Sequence, residues 1–581
     1  MNDSRGPVPS FHTLLLISLL ALVGTMAQAQ LSTASLNGVV RDPQGAVVTK
    51  ASVTLRNSDT GVERGISTND SGAYVFLNVN PGRYTLKVSA PSFATKEVAA
   101  FVLAVNQTAT IDVALTLGAE SQVISVEATA EQLQASSSEL GTVIATKEVN
   151  DLPLNGRNFT QLLSLTPGVV PISVGQSSMG GRPGGFATPI AEGSDFSFPA
   201  INGATNRSNY FLTDGLSNFA AFLSAYAVPP IIDAIQEFTV VSHSDSAQYG
   251  SVLGGVVNVV TKSGTRKFRG VAWDYLRNNA FDSNDQFAKI NSYHQNQFGA
   301  TFGGPVPLPH LKNNTFFFFA YQGFRYSRPV SSPILVPTSA MYAGDFSSYC
   351  SEGFAGGICN NPAHQIYNPF TTVKSGAVYT RTPYMGNQIP AGNAPGDVQP
   401  QIVSFLQAIV PAAGSYNAQL NSNAFDSDPN TQHQNEYNVR IDHNFGSKDS
   451  AWFRYSRINS DLVQPGGIPR LDGTESIPGR NYGANWVHTF NATLQLQVLF
   501  SRTTVQDLSL TKMKGVNPTS LAQAAGFAPG LYCNFSGISG CLLPGYGLGN
   551  GYTGGGGESF NYTTMGTDNN QFSATLNIVR G

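Results

Sequence analysis

From residue 266 onward, apolar and polar residues take turns along the chain. Tyr437, Val439 and Ile441 alternate with Asn438, Arg440 and Asp442, and Leu494, Leu496 and Val498 alternate with Gln495 and Gln497. Phe572, Ala574, Leu576 and Ile578 alternate in the same way with Ser573, Thr575 and Asn577. A period of two sends successive side chains to opposite faces, so each segment reads as a strand with one apolar and one polar face. Strands are expected near 267–276, 294–303, 314–324, 435–445, 450–457, 482–490, 492–502 and 571–580. An antiparallel sandwich would alternate too, and the connections separate the two readings. They run long and short in turn, with 325–434, 458–481 and 503–570 long and 446–449 tight. Long loops at one end and short turns at the other are the habit of a transmembrane β-barrel.

Ahead of these strands the pattern is different. "SLNGVVRDPQGAVVTKASVTLRN" reads as strand, Pro-Gln-Gly turn, strand, and "TNDSGAYVFLNVNPGRYTLKVSAPSF" repeats the scheme. Tyr84, Leu86 and Val88 alternate with Thr85 and Lys87, while Asp70-Ser71-Gly72 and Asn80-Pro81-Gly82 supply turn residues. About seven short strands in so short a stretch predict a small β-sandwich over 30–117. Residues 118–131 read as a linker, and 132–265 as a mixed α/β unit. In that unit Phe159, Leu162 and Leu163 form a one-sided apolar face, Asn155 or Asn158 can cap the helix, and Pro167-Gly168 ends it. "NYFLTDGLSN" predicts a strand entering an Asp214-Gly215 turn, and "IQEFTVVS" and "VVNVV" predict two more strands. The fold class is therefore mainly β.

Composition narrows the setting. Charged residues are only 12% of the 581, with Lys plus Arg at 33 against Asp plus Glu at 36. So balanced a charge offers no electrostatic footprint for nucleic acid. Arg5, the apolar run Leu14 to Val23 and the small residues Ala27 and Ala29 predict an export signal over 1–29 with cleavage at those alanines. The run is shorter than the ~20 residues a spanning helix needs. No other stretch is apolar enough, so a membrane crossing would have to use strands. The four cysteines pair locally, Cys350 with Cys359 and Cys533 with Cys541, and two disulfides stapling long loops fit an oxidising compartment.

Six stretches carry two resemblances. "GVVRDPQGAV", "DSGAYVF" and "PGRYTLKV" resemble the carboxypeptidase regulatory-like domain, a carbohydrate-binding-like fold whose members also serve as spacers or docking modules. "LPLNGRNFTQLLSLTPGV" (152–169), "INGATNRSNYFLTDGLSN" (201–218) and "IQEFTVVSHSDSAQYGSVLGGVVNVVTKSGTRKFRGVAWDYLRN" (235–278) resemble TonB-dependent outer-membrane receptors. Together the chain is similar to the Oar-like branch, which carries the regulatory-like extension. The resemblance implies a Gram-negative outer-membrane location. It implies a plug over 132–265, with Asn155, Gly156, Arg157, Asp214, Gly215, Gly254 and Gly255 as its motif residues, and barrel strands from 266 to 581. It also implies TonB as energising partner, with Val123, Ile124, Ser125 and Val126 as candidates for its contact by strand addition. The external ligand would be a siderophore, oligosaccharide or peptide. Such receptors close about 22 strands around a plug. Eight strands cannot enclose one, so the sequence reads as a fragment.

No catalytic site, metal site or cofactor site is expected. None of the eight histidines sits in an H-E-x-x-H pattern, and "GQSSM" at 175–179 lacks the closing glycine of a nucleophile elbow. In "QYGSVLGGVVNVVTKSGT" (248–265) a strand separates Gly255 from Lys262, which excludes a phosphate loop. Gly254 and Gly255 are instead expected to turn the backbone tightly as the plug's final strand begins. The competing reading is a surface adhesion protein without transport, which would need neither plug nor TonB segment.

Overall fold

The computed structural model describes residues 33–118, 124–126, 140–154, 157–170, 199–205, 208–221, 225–243, 252–284, 292–329, 331–465, 471–491, 493–506, 508–513, 517–528, 547, 549, 552–553, 559–561 and 566–578. Ala27, Ala29, Val123, Asn155, Gly156, Cys533 and Cys541 lie outside the described residues.

The first strands form two sheets. One has β1 (Ala34–Arg41) at its centre, between β4 (Ala73–Val79) and the short β7 (Thr108–Thr110), with β8 (Val113–Ala114) also on β1. The other runs β3 (Glu63–Ser67), β2 (Ser52–Asn57), β5 (Gly82–Ser89), β6 (Lys96–Leu103), β9 (Ile124–Val126). Alternate residues of both sheets face inward: Leu36, Val40, Val53, Leu55, Phe76, Leu86, Val88 and Leu103 are buried in one core. Eight strands over 34–114 replace the expected seven, because Ile111 and Asp112 break the last one into β7 and β8.

The central unit holds a five-stranded sheet ordered β10 (Leu140–Ile144), β13 (Ile235–His243), β14 (Val256–Thr261), β11 (Tyr210–Thr213), β12 (Leu216–Ser217). β14 pairs antiparallel with β13 and parallel with β11, and all six of its residues are buried. A strand covered on both faces reads as a continuous apolar run, as Val256 to Val260 does. Phe159, Leu162 and Leu163 are buried against this sheet, with the Asn158 side chain accepting from the Thr160 N–H. Their segment, Phe159–Leu165, is a 3₁₀ helix and not an α-helix. The α1 helix (Thr146–Asp151) precedes it. The backbone bends at Leu253 and Gly254 as β14 begins, and neither Gly254 nor Gly255 has a positive φ. Glycine is required there by close approach: a Cβ on Gly255 would stand 2.6 Å from Ile201 Cδ1 and 2.8 Å from the Val241 carbonyl oxygen.

The wall is one antiparallel sheet whose main path follows chain order: β15 (Arg269–Asn278), β16 (His294–Pro305), β17 (Thr315–Pro329), β18 (Pro429–Asn444), β19 (Asp449–Pro465), β20 (Leu471–Asn491), β21 (Leu494–Gln506) and β22 (Gly566–Ile578). Off this path Leu508–Met513 pairs with β20, and Ser559–Asn561 with Leu508–Met513. Its burial is inverted relative to a water-soluble sheet. Ile441, Phe453, Trp486, Phe500, Phe572 and Leu576 are exposed on one face, Phe453 at 45%. Asn438, Arg440, Arg454, Asn481, Gln497 and Thr503 are buried on the other, Arg454 and Asn481 at 0%. Apolar outside and polar inside is stable only where the outside is lipid.

The strands run longer than alternation alone indicated. β19 has 17 residues and β20 has 21. Only 466–470 therefore join them, and not the long loop expected over 458–481. A tilted membrane-crossing strand needs about 9–11 residues. The excess extends away from the tight turn at Gly446, beyond the apolar band, so polar residues there pair as a ladder without an apolar face to mark them. Between β17 and β18 a long loop folds on itself. Its helix α2 (Pro400–Ile409) packs with α3 (Pro518–Ala524), which comes from the segment between β21 and β22, and together they bury Phe405, Ile409 and Ala525 with Ile334 and Val336. Cys350 and Cys359 in this loop are joined by a disulfide, with Cα atoms 5.7 Å apart.

Candidate functional site between the central unit and the wall

The turn between β11 and β12 sets the geometry. Asp214 and Gly215 both have positive φ, 53° and 75°, the pairing a two-residue hairpin loop demands. This aims the Asp214 carboxylate at the polar face of the wall. Its Oδ1 accepts from the Thr261 N–H at 2.9 Å and its Oδ2 from the Thr261 hydroxyl at 2.8 Å. Two wall guanidinium groups close on it: Arg440 Nη1 at 3.0 Å from Oδ1 and Arg454 Nε at 2.8 Å from Oδ2.

Each arginine is held by further partners. Arg440 also donates to Asp442 through Nη2 at 2.9 Å and lies 4.9 Å from the Trp452 ring centroid. Arg454 donates to Asn481 Oδ1 at 2.7 Å, Ser456 Oγ at 2.8 Å and the Thr213 carbonyl at 3.3 Å. Asn481 in turn donates to the Ser217 carbonyl at 2.9 Å, and Gln571 accepts from the Ser217 N–H at 3.0 Å. The central unit is thereby hydrogen-bonded to β18, β19, β20 and β22. Buried charge is tolerated only when paired and hydrogen-bonded. Here the two guanidinium groups share Asp214, Asp442 adds a second carboxylate beside Arg440, and Arg454 Nε, although close to Asp214 Oδ2, makes no hydrogen bond of good geometry.

Arg157 makes a second junction. It is ion-paired with Asp233 and stacks over Tyr275 and Trp273 of β15, at 4.4 and 5.6 Å from their ring centroids. Between it and the wall lies a cavity of about 140 Å³ bordered by Thr160, Pro230, Gln297, Gln322, Gln434 and Glu436. Its polar lining is chiefly amides with one carboxyl and Arg157, set among apolar residues such as Phe159, Ile232 and Phe324, so it can exchange hydrogen bonds with a bound molecule. Lys262, just past β14, donates its Nζ to the Asp233 carbonyl at 2.9 Å and lines no phosphate cradle.

The structure thus brings Asp214, Gly215 and Arg157 to the wall. Gly254 and Gly255 sit at the other end of β14, where they serve packing. Ile124, Ser125 and Val126 lie apart from this interface as β9, paired parallel with Lys96, Glu97 and Val98 at the sandwich edge. Arg440 and Arg454 escaped the sequence reading as site residues. Their signal was available: two arginines on the polar side of alternating strands in a chain poor in charge need a buried partner.

Comparison with known proteins agrees with this architecture. The model of the outer membrane beta barrel domain matches residues 260–581, and that of the carboxypeptidase regulatory-like domain matches 35–116. The TonB-dependent transporter Oar of Myxococcus xanthus is 26% identical over 323 residues, covering 52% of this chain and 27% of the relative. The chain thus spans about a quarter of the length of that curated relative. Among solved structures, the outer membrane transporter YddB of Escherichia coli gives a TM-score of 0.38 at 10% identity, covering 64% of this chain and 39% of that one. The siderophore receptor PirA of Acinetobacter baumannii gives 0.31 at 14% identity, covering 68% and 51%. The resemblance to TonB-dependent outer-membrane receptors read from the sequence is borne out, and so is the outer-membrane location. With the barrel model covering more than half of its length and the polar face of its strands turned inward, this chain belongs to the outer membrane beta-barrel domain family.

Proposed function

We propose that this chain is the plug-bearing part of a TonB-dependent receptor that imports an external ligand across the outer membrane. The observation that carries the reading is the Asp214–Arg440–Arg454 cluster. It seats a compact central unit against the polar face of a lipid-facing wall, as a plug must be seated. In this reading 132–265 is the plug, 266–581 the beginning of the wall, and 30–117 a periplasmic sandwich. The cavity beside Arg157 is the ligand-facing side, and its amide lining suits an oligosaccharide, a peptide or the polar groups of a siderophore. An adhesion protein would have no use for so extensive a bonded junction inside its wall.

TonB would engage Ile124–Val126, which already adopts a strand backbone. Strand addition uses main-chain hydrogen bonds, so proline in that strand removes a donor and fixes φ. The complete protein is expected to bind purified TonB periplasmic domain, and Ser125→Pro to weaken that binding by at least about tenfold. Equal binding by the two would sink the assignment of this segment.

A further inference from the structure

The sandwich does not hang free of the rest of the molecule. It touches the plug, the wall and the segment between them, all at the tight-turn end of the strands. The Arg266 N–H, just past the plug, donates to the Asp59 carbonyl at 3.1 Å, and Arg266 Nε donates to the Thr60 carbonyl at 2.7 Å. On the wall, the Asn78 side chain donates to Gln495 Oε1 at 2.6 Å, and Gln495 Nε2 donates to the Leu77 carbonyl at 3.3 Å. On the plug, the Gln236 side chain donates to the Pro81 carbonyl at 2.9 Å, and Glu237 Oε1 accepts from the Val105 N–H at 2.6 Å.

The position of one turn gives these bonds a common purpose. Asn80-Pro81-Gly82 is a tight turn of the kind that normally faces water, yet Pro81 is buried. It borders a space of about 20 Å³ shared with Asp214, Thr261, Arg440 and Trp452. The sandwich therefore reaches the ion cluster that seats the plug and covers it from the periplasmic side. All the named bonds are polar, and polar bonds exchange for water at small net cost when partners separate. A junction built this way holds collectively and still opens.

We propose that the sandwich is a latch. With its Asn80–Gly82 turn beneath the Asp214 cluster and its 59–61 loop tied to Arg266, it keeps the plug seated and must undock before the plug can move. The proposal rests on reading 132–265 as a movable plug. β9 sits on the sandwich edge, so a pull on that strand reaches the latch before it reaches the plug.

The test is thiol accessibility in the complete protein in outer-membrane vesicles. Pro81→Cys is expected to react slowly with a water-soluble maleimide, against a background of the same protein without that substitution. Adding Arg266→Ala and Gln495→Ala is expected to speed labelling by at least about tenfold, as local opening becomes cheaper. Fast labelling with the latch bonds intact, or no acceleration without them, overturns the latch. If Pro81→Cys disturbs its turn, Thr60→Cys with Arg266→Cys offers a second measurement. A short bismaleimide is expected to join them, and failure to crosslink in folded protein also overturns the proposal. Purified TonB periplasmic domain then separates the two readings. It is expected to accelerate Pro81→Cys labelling in the otherwise unaltered protein and to lose that effect once 60 and 266 are joined. Acceleration by the alanine substitutions with none from the TonB domain upholds the latch and refutes the TonB assignment.

Discussion

Glu237 shows how much a single side chain can carry at the junction of the sandwich and the central unit. It is buried, and its one named bond there is from the Val105 N–H. Burial pushes its carboxyl from an ordinary 4.5 up to about 7, and the Val105 bond, which favours the ionised form, offsets only part of that. A carboxyl raised in the folded state supports folding while it is protonated. That support is complete below the ordinary value and is lost as pH rises through about 7. The junction is therefore expected to loosen between about pH 5 and about pH 8, on the order of 3 kcal/mol in all. Unfolding of the complete protein by urea across that range measures it, and Glu237→Gln should flatten the slope. A slope unchanged by the glutamine would assign the pH dependence to another group. Nothing around Glu237 in the sequence announces this. "IQEFTVV" reads as a strand with Gln236, Glu237 and Thr239 as its polar residues, and only tertiary packing removes the carboxyl from water.

At the scale of elements, the alternation from 266 onward placed all eight wall strands in the observed order, because a period of two is a local property of extended backbone. It shortened several of them, since polar ladder residues such as Asn459 to Asp461 carry no apolar face. The segment between the central unit and the wall was legible as punctuation but not as a packing constraint. A Cβ on Gly264 would meet the Phe317 carbonyl oxygen at 2.4 Å and the Gly304 carbonyl oxygen at 2.7 Å. Both obstacles are backbone, so the chain and not a side chain must give way. Gly264→Ala is expected to cost about 1–3 kcal/mol by overpacking. It should appear as a lower fraction of folded, heat-modifiable protein on unboiled gels, whereas Gly65→Ala, whose Cβ meets nothing within 4 Å, serves as the neutral comparison.

For the whole molecule, the Asp214 cluster decides whether the central unit and the wall behave as one body. Arg440 lies 226 residues from Asp214, and Arg454 lies on the neighbouring strand. Removing the shared carboxylate leaves Arg454 buried with only neutral partners and Arg440 dependent on Asp442. Losing one partner of a buried ion pair costs about 3–5 kcal/mol. Asp214→Ala is thus expected to make the central unit sensitive to protease while the wall still migrates as folded. Protease resistance equal to the parent would remove the cluster from its seating role.

The covalent chain by itself determined which residues face lipid and which face inward, where the sandwich stops and the wall begins, and which stretches turn. All of these follow from periodicity and turn chemistry within about a dozen neighbouring residues. Tertiary structure decided which partners meet. It made Asp214 a bridge and not merely a turn residue, added a packing requirement at Gly254-Gly255, and buried Pro81 of the Asn80-Pro81-Gly82 turn beside the ion cluster. A local pattern can say that an arginine on an inward face needs a carboxylate. Only the closed geometry of three packed units selects the carboxylate that answers it.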